Sequence, residues 1–161
     1  MNAVLISIKP RWCGKISSGE KTVEIRKSLP KLRLPFKCYI YCTKDQKLQF
    51  WTGPRYSYAD DHSHNAFDKC GNGKVIGEFI CDRLFPIHVF HNGTIQNWNY
   101  ENMEDACLRY EELANYIGND KTGYGWHISE LYIYDKPIEL TEFKVKRPPQ
   151  SWCYVQEVDH G

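Results

Sequence analysis

The segment Gly19-Glu20-Lys21-Thr22-Val23-Glu24-Ile25-Arg26 sets an ammonium, a carboxylate and a guanidinium beside a turn glycine. Val23 and Ile25 alternate with Thr22, Glu24 and Arg26, which predicts a short strand with the polar residues on one face. At about 3.3 Å rise per residue, Glu24 and Arg26 stand roughly 7 Å apart on that face, close enough to share a ligand. Lys21, at the strand entry next to Gly19, can swing over the same face. Such a set can recognise a nucleotide: Arg26 offers a planar fork, Lys21 a point charge, and Glu24 an acceptor for an exocyclic amine. It can also hydrolyse one, with Glu24 activating water, Lys21 stabilising an oxyanion, and His127 carrying a proton. For phosphodiester cleavage, His127 and Lys21 would serve as base and acid. The structural alternative is a solvated edge strand with a surface ion pair.

A second stretch, Gly125-Trp126-His127-Ile128-Ser129, places an aromatic and a histidine inside a predicted strand over Tyr124 to Tyr134. Alternation sends Trp126, Ile128 and Tyr132 to one face and His127 and Ser129 to the other. Either face can line a pocket, with Trp126, Trp152 or Trp51 as a stacking surface for a base, worth roughly 1–3 kcal/mol. Trp126 reads equally well as a core aromatic. The irregular segment from about 44 to 74 carries Asp60, Asp61, His62, His64 and Cys70, all capable of ligating zinc. No paired Cys-x-x-Cys or His-x-x-x-His frames them, so neither a metal nor a cofactor is assigned. No nucleophile elbow, phosphate loop or zinc-protease motif points to another enzyme class.

Several elements must position these groups. Ala3 to Ile8 is a nearly continuous apolar run, a buried central strand. Pro10 opens a helix with Trp12, Cys13 and Ile16 at helical spacing and Gly19 at its end. Ser28 to Pro35 reads as a loop, and Phe36 to Thr43 as a strand, with Cys38 and Cys42 as small core residues. Lys74 to Phe85 is a strand in which Gly77 permits a bulge or close approach, and Pro86 to Asn99 a loop with an Asn92-Gly93 turn and two histidines, His88 and His91. Apolar residues at 103, 106, 107, 110, 113, 114 and 117 predict one amphipathic helix closed by Gly118, with Glu104, Asp105, Glu111 and Glu112 on a solvated face. Ser151 to Val155 forms a last short strand with Trp152 and Tyr154.

The chain's 161 residues, 42% of them apolar, suit a single domain over 1–161 with an irregular insertion. No run reaches membrane-spanning length, and the opening apolar stretch is too short for a secretion signal. Seven cysteines, an odd number at low density, suit reduced thiols in a cytoplasmic setting. The net charge of +1 conceals a cluster between Lys9 and Lys37, where nine basic residues face two acidic ones. A basic patch around the opening motif favours an anionic partner, nucleic acid being the commonest, and reads nearly as well as a solvated basic face with no partner; a membrane is not expected.

Lys9-Pro10 with Trp12, the run Gly19 to Lys27, Gly77-Glu78-Phe79 and Trp126-His127-Ile128-Ser129 together resemble an ASCH domain of the PUA-like superfamily. The type is the one found in bacteria and their phages. The resemblance covers most of the chain, and Gly-x-Lys-x-x-Glu-x-Arg is its most specific part. It implies an α+β fold, a PUA-like, mostly antiparallel β-barrel with flanking helices, and a cleft beside the motif that handles RNA or modified nucleosides. Some members are ribonucleases, and one small bacterial relative is an amidohydrolase acting on acetylcytidine. That relative's motif lysine matches Lys21, but Glu24 stands where it has a nucleophilic threonine. Glu111 and Glu112 are the nearest counterparts of its helix glutamate. The expected ligand contacts are Lys21, Glu24, Arg26, Trp126, Ser129 and Trp152, and the expected catalytic groups are Lys21, Glu24 and His127.

Overall fold

The computed structural model describes residues 1–52 and 69–159. Strand β1 (Asn2–Ile8) is buried from Ala3 onward, as its apolar run requires. It pairs parallel to β3 (Phe36–Cys42) and antiparallel to β6 (Trp152–Gln156), so both edges are occupied. A parallel pair needs a crossover, and helix α1 (Pro10–Ser17) and strand β2 (Val23–Arg26) supply it. Gly19, with φ +82°, accepts the left-handed turn between them. The remaining elements are β4 (Lys74–Val89), α2 (Tyr100–Ala106), α3 (Tyr110–Ile117) and β5 (Lys121–Ile138).

The strands form one six-stranded mixed sheet in the order β2-β5-β4-β3-β1-β6. The α+β class holds, but the expected barrel is not confirmed. The sheet is open among the described residues, with β2 and β6 as its terminal strands, and its β1/β3 pair is parallel.

The chain clusters into two compact units. One comprises Met1–Gly14, Lys37–Ile80 and Glu130–Gly161, and the other Lys15–Phe36 and Cys81–Ser129. The first is built on Ala3, Leu5, Tyr39, Tyr41, Val75 and Tyr134, and because Cys38, Ile40 and Cys42 are buried as well, β3 is covered on both faces. The second is built on Val23, Ile25, Ile87, Val89, Leu113 and Ile117, with Phe85 and Trp98 packed against it.

Three sequence expectations change. The single helix over 103–117 is two, because Cys107 takes a left-handed conformation (φ 55°) that ends α2 before α3 begins. A helical stripe of apolar residues does not register such a break, since Ala106, Leu113 and Ile117 are buried on either side of it. Strand β4 runs through Pro86 to Val89, where a loop was expected. The end of this half of β4 is held by the Val89–Ile95 bridge and by the Gln96 amide, which donates to the His88 carbonyl at 2.9 Å. In β5, Glu130 has φ 48°, which interrupts the strand's alternation, and Tyr132 is exposed while Trp126 and Ile128, expected on the same face, are buried.

The Lys44–Lys74 segment contains an isolated bridge between Trp51 and Cys70. Asp60, Asp61, His62 and His64 lie outside the described residues. Among the described residues no group of three or more His, Cys, Asp or Glu is arranged to hold a metal, and no helix is long and apolar enough to cross a membrane. None of the seven cysteines is joined in a disulfide among the described residues.

Candidate functional site

Two backbone contacts fix the entry of β2. The Thr22 amide donates to the Asp105 carbonyl at 2.8 Å, and the Ile128 amide donates to the Thr22 carbonyl at 2.8 Å. Between these anchors Lys21 is driven inward. Its side chain is 2% exposed, and its Nζ donates to the Ala106 carbonyl at 2.5 Å, at the last residue of α2. An ammonium there neutralises the negative end of the helix and occupies a carbonyl that has no intrahelical donor. Burial lowers the Lys21 pKa from its ordinary value. The Glu24 carboxylate, and more weakly the Cys107 thiol, oppose that shift, while Arg26 adds to it. The three motif charges are therefore within electrostatic range of one another, as the sequence predicts, but Lys21 is a buried cap for α2 and not a charge on the surface.

Glu24 is 7% exposed. Its Oε1 accepts from the Ile25 amide at 2.8 Å. Its Oε2 is buried, lies 4.0 Å from Arg26 Nη2, and accepts no hydrogen bond among the described residues. A separation of 4.0 Å is an ion pair at its outer limit and no hydrogen bond. A carboxylate oxygen in this state is costly unless something donates to it. The solvated edge strand is thus replaced by a strand covered on both faces, since Val23 and Ile25 are also buried.

The β2/β5 register decides what stands beside this carboxylate. Glu24 pairs with Trp126 and Arg26 with Tyr124, whereas Val23 pairs with His127 and Ile25 with Gly125. Directly opposed residues share a face, so Trp126 joins Glu24 and Arg26 while His127 stands on the reverse face with the core valine. Trp126 has no solvent exposure and meets Phe36 edge-on, with ring centroids 5.9 Å apart. It forms the packed back of the site. Tyr116 on α3 is near enough that Arg26 and Glu24 both influence its hydroxyl, whose pKa burial raises, and Lys27 Nζ sits 4.9 Å from its ring centre.

On the reverse face, His127 Nδ1 lies 2.6 Å from Asp82 Oδ1. Its side chain is 32% exposed. That hydrogen bond holds the Asp82 carboxyl below its ordinary pKa. Asp82 did not emerge from the sequence as a partner, although an aspartate inside the apolar run of β4 was the available signal. Ser129 is half-buried on the His127 side of the strand. Trp152 belongs to the other unit, in β6 opposite Ile6, with Tyr154 edge-on to it at 5.2 Å. Glu111 and Glu112 are exposed on α3. The structure therefore joins Lys21, Glu24, Arg26 and Trp126, and sets His127 and Ser129 apart from them.

Among solved structures, the chain is similar to the ASCH protein from Zymomonas mobilis, at 21% identity and TM-score 0.63 over 96% of this chain and 88% of that one. A tyrosine-to-phenylalanine mutant of that protein matches with TM-score 0.63 over 91% of its length, and a serine-to-alanine mutant with 0.64 over 89%, both at 21% identity. The fold is that of an ASCH domain. No protein-family model and no curated protein sequence matches the chain. In this ASCH fold the Gly-x-Lys-x-x-Glu-x-Arg segment is the turn and strand β2, so its charges fall between the end of α2 and the paired stretch of β5.

Proposed function

We propose that this ASCH domain binds RNA or a modified nucleoside, reading the base edge with Glu24 and Arg26. The observation that carries this reading is the buried Glu24 Oε2, which faces Arg26 at 4.0 Å and has no donor among the described residues. An exocyclic amine supplies that donor, and the neighbouring ring nitrogen or carbonyl accepts from the guanidinium, a pairing of the kind Glu and Arg make with base edges. Lys21 positions the pair from below by tying β2 to α2. Phosphates are drawn by the loop that follows β2, where Lys27, Lys31 and Arg33 are exposed.

A hydrolase of acylated nucleosides, or a ribonuclease, is the second reading, favoured by the lysine of lowered pKa beside a buried carboxylate. In that chemistry Glu24 activates water and Lys21 takes part in proton transfer. His127 stands on the opposite strand face and is left out of the scheme.

Calorimetry with a short single-stranded RNA and with cytidine, alongside acetate release from N4-acetylcytidine, separates the two. Binding by the wild type, weakened about tenfold or more by Glu24→Gln, with no turnover at any pH, supports the binding function. Turnover abolished by Glu24→Gln while affinity is retained supports the hydrolase. Absence of both binding and turnover at low salt rejects the site.

A further inference from the structure

A cavity of about 290 Å³ opens in the second unit, away from the Lys21, Glu24 and Arg26 cluster in composition and in the strand face it adjoins. Phe85, Pro86 and Ile87 give it an apolar side, and Gln96, Trp98 and Asn102 a polar one. Phe85 is held in place by Gly125: its ring sits 2.2 Å from where a Cβ would lie, so no larger residue fits beneath it. Gly125 pairs with Ile25, whose face is opposite to that of Glu24. Across from this ring, Trp98 packs against the unit's core, and its indole Nε1 is buried with no acceptor among the described residues. Buried indole N–H groups ordinarily find one. Asn102 uses its Oδ1 to accept from the Asn99 amide, which leaves its amide nitrogen as a donor.

We infer that this cavity is a second binding site, for a neutral, planar, carbonyl-bearing ring of nucleobase size. Every lining side chain is uncharged, so a charged ligand would be desolvated there without a partner. The volume is at the lower end of ligand pockets, suited to one ring system and not to a larger cofactor. The amide nitrogens of Gln96 and Asn102 donate to the ring's carbonyl edge, Phe85 covers an apolar side, and the indole of Trp98 lines the cavity beside them.

The test follows the indole N–H resonance of Trp98 in ¹⁵N spectra of the full chain, assigned through Trp98→Phe, while uracil, cytosine and nicotinamide are titrated separately. The expected result is a saturable shift of that one resonance by at least one ring, with a dissociation constant of roughly 1 mM or tighter. Gln96→Ala, an exposed substitution that leaves the core intact, weakens it about five- to tenfold, and Trp98→Phe, in which binding is followed through the side-chain amide resonances of Gln96 because the indole signal is gone, weakens it similarly. Glu24→Gln binds the ring unchanged, which separates this site from the one proposed above. No shift with any of the three rings overturns the inference, as do undiminished affinity in both Gln96→Ala and Trp98→Phe or loss of binding in Glu24→Gln.

Discussion

At the scale of single residues, the carboxylates of Glu24 and Asp82 illustrate how environment assigns roles. Asp82 has its proton affinity lowered chiefly by one neighbour, His127 at 2.6 Å, with Arg83 adding to the effect and burial opposing it. With the folded pKa depressed, the stability this pair contributes is fully present above the ordinary carboxylate value of 3.8 and is lost as pH falls through the lower folded value. Both groups are partly exposed, so solvent screening keeps that contribution small. His127→Asn therefore moves the Asp82 carboxyl titration upward toward its ordinary range, read by ¹³C carboxyl shifts; an unmoved titration would mean that the hydrogen bond is not what lowers it. Glu24 is different: its second oxygen is buried beside a guanidinium and lacks a donor among the described residues. The alternation of Val23, Glu24, Ile25 and Arg26 is enough to read Glu24 and Arg26 onto one face. The sequence does not reveal that Trp126, with Phe36 edge-on to it, packs behind the same face, because burial on a terminal strand comes from packing outside the strand itself.

At the scale of elements, β2 and α2 act as a unit because the Thr22 amide and the Lys21 ammonium both bind the last carbonyls of α2. A lysine whose folded pKa lies below its ordinary 10.5 binds its proton more weakly folded than unfolded. Stability then rises with pH across the interval from the folded value up to 10.5. Lys21→Met removes that rise, and amide exchange at the end of α2 quickens because a carbonyl partner is lost; equal pH dependence in both proteins, measured by urea unfolding, would contradict the assignment. The motif lysine reads from sequence as a ligand-facing charge because the partner that claims it, the Ala106 carbonyl, lies 85 residues away at a helix end. That end was itself hidden: the apolar positions continue from Ala106 to Leu113 across the left-handed Cys107. The extension of β4 through Pro86 was concealed for a related reason, since proline is a strand breaker except where its nitrogen has no partner to serve.

At the scale of the whole molecule, the chain's near-neutral balance, 21 basic and 20 acidic residues, coexists with a basic stretch that brackets the site. Lys27, Lys31 and Arg33 are exposed on the loop after β2. If they contact phosphates of single-stranded RNA, Lys31→Ala and Arg33→Ala each reduce the slope of log affinity against log salt by about 0.7, with little change in base preference. An unaltered slope in both would place the phosphates elsewhere. The α+β architecture was legible in the alternating strands and the apolar opening run, and it coincides with the ASCH fold. The open mixed sheet was not, because the parallel β1/β3 pairing depends on a crossover whose direction no local pattern encodes. Glu24 is the residue on which the binding account turns, and the most direct measurement is the affinity ratio of cytidine to uridine in the wild type and in Glu24→Gln. The account predicts that the wild type prefers cytidine by about tenfold, because the 4-amino group donates to Glu24 Oε2 where the uridine 4-carbonyl cannot, and that Glu24→Gln erases the preference. Equal affinity for the two nucleosides in the wild type, or a preference that survives Glu24→Gln, would contradict it.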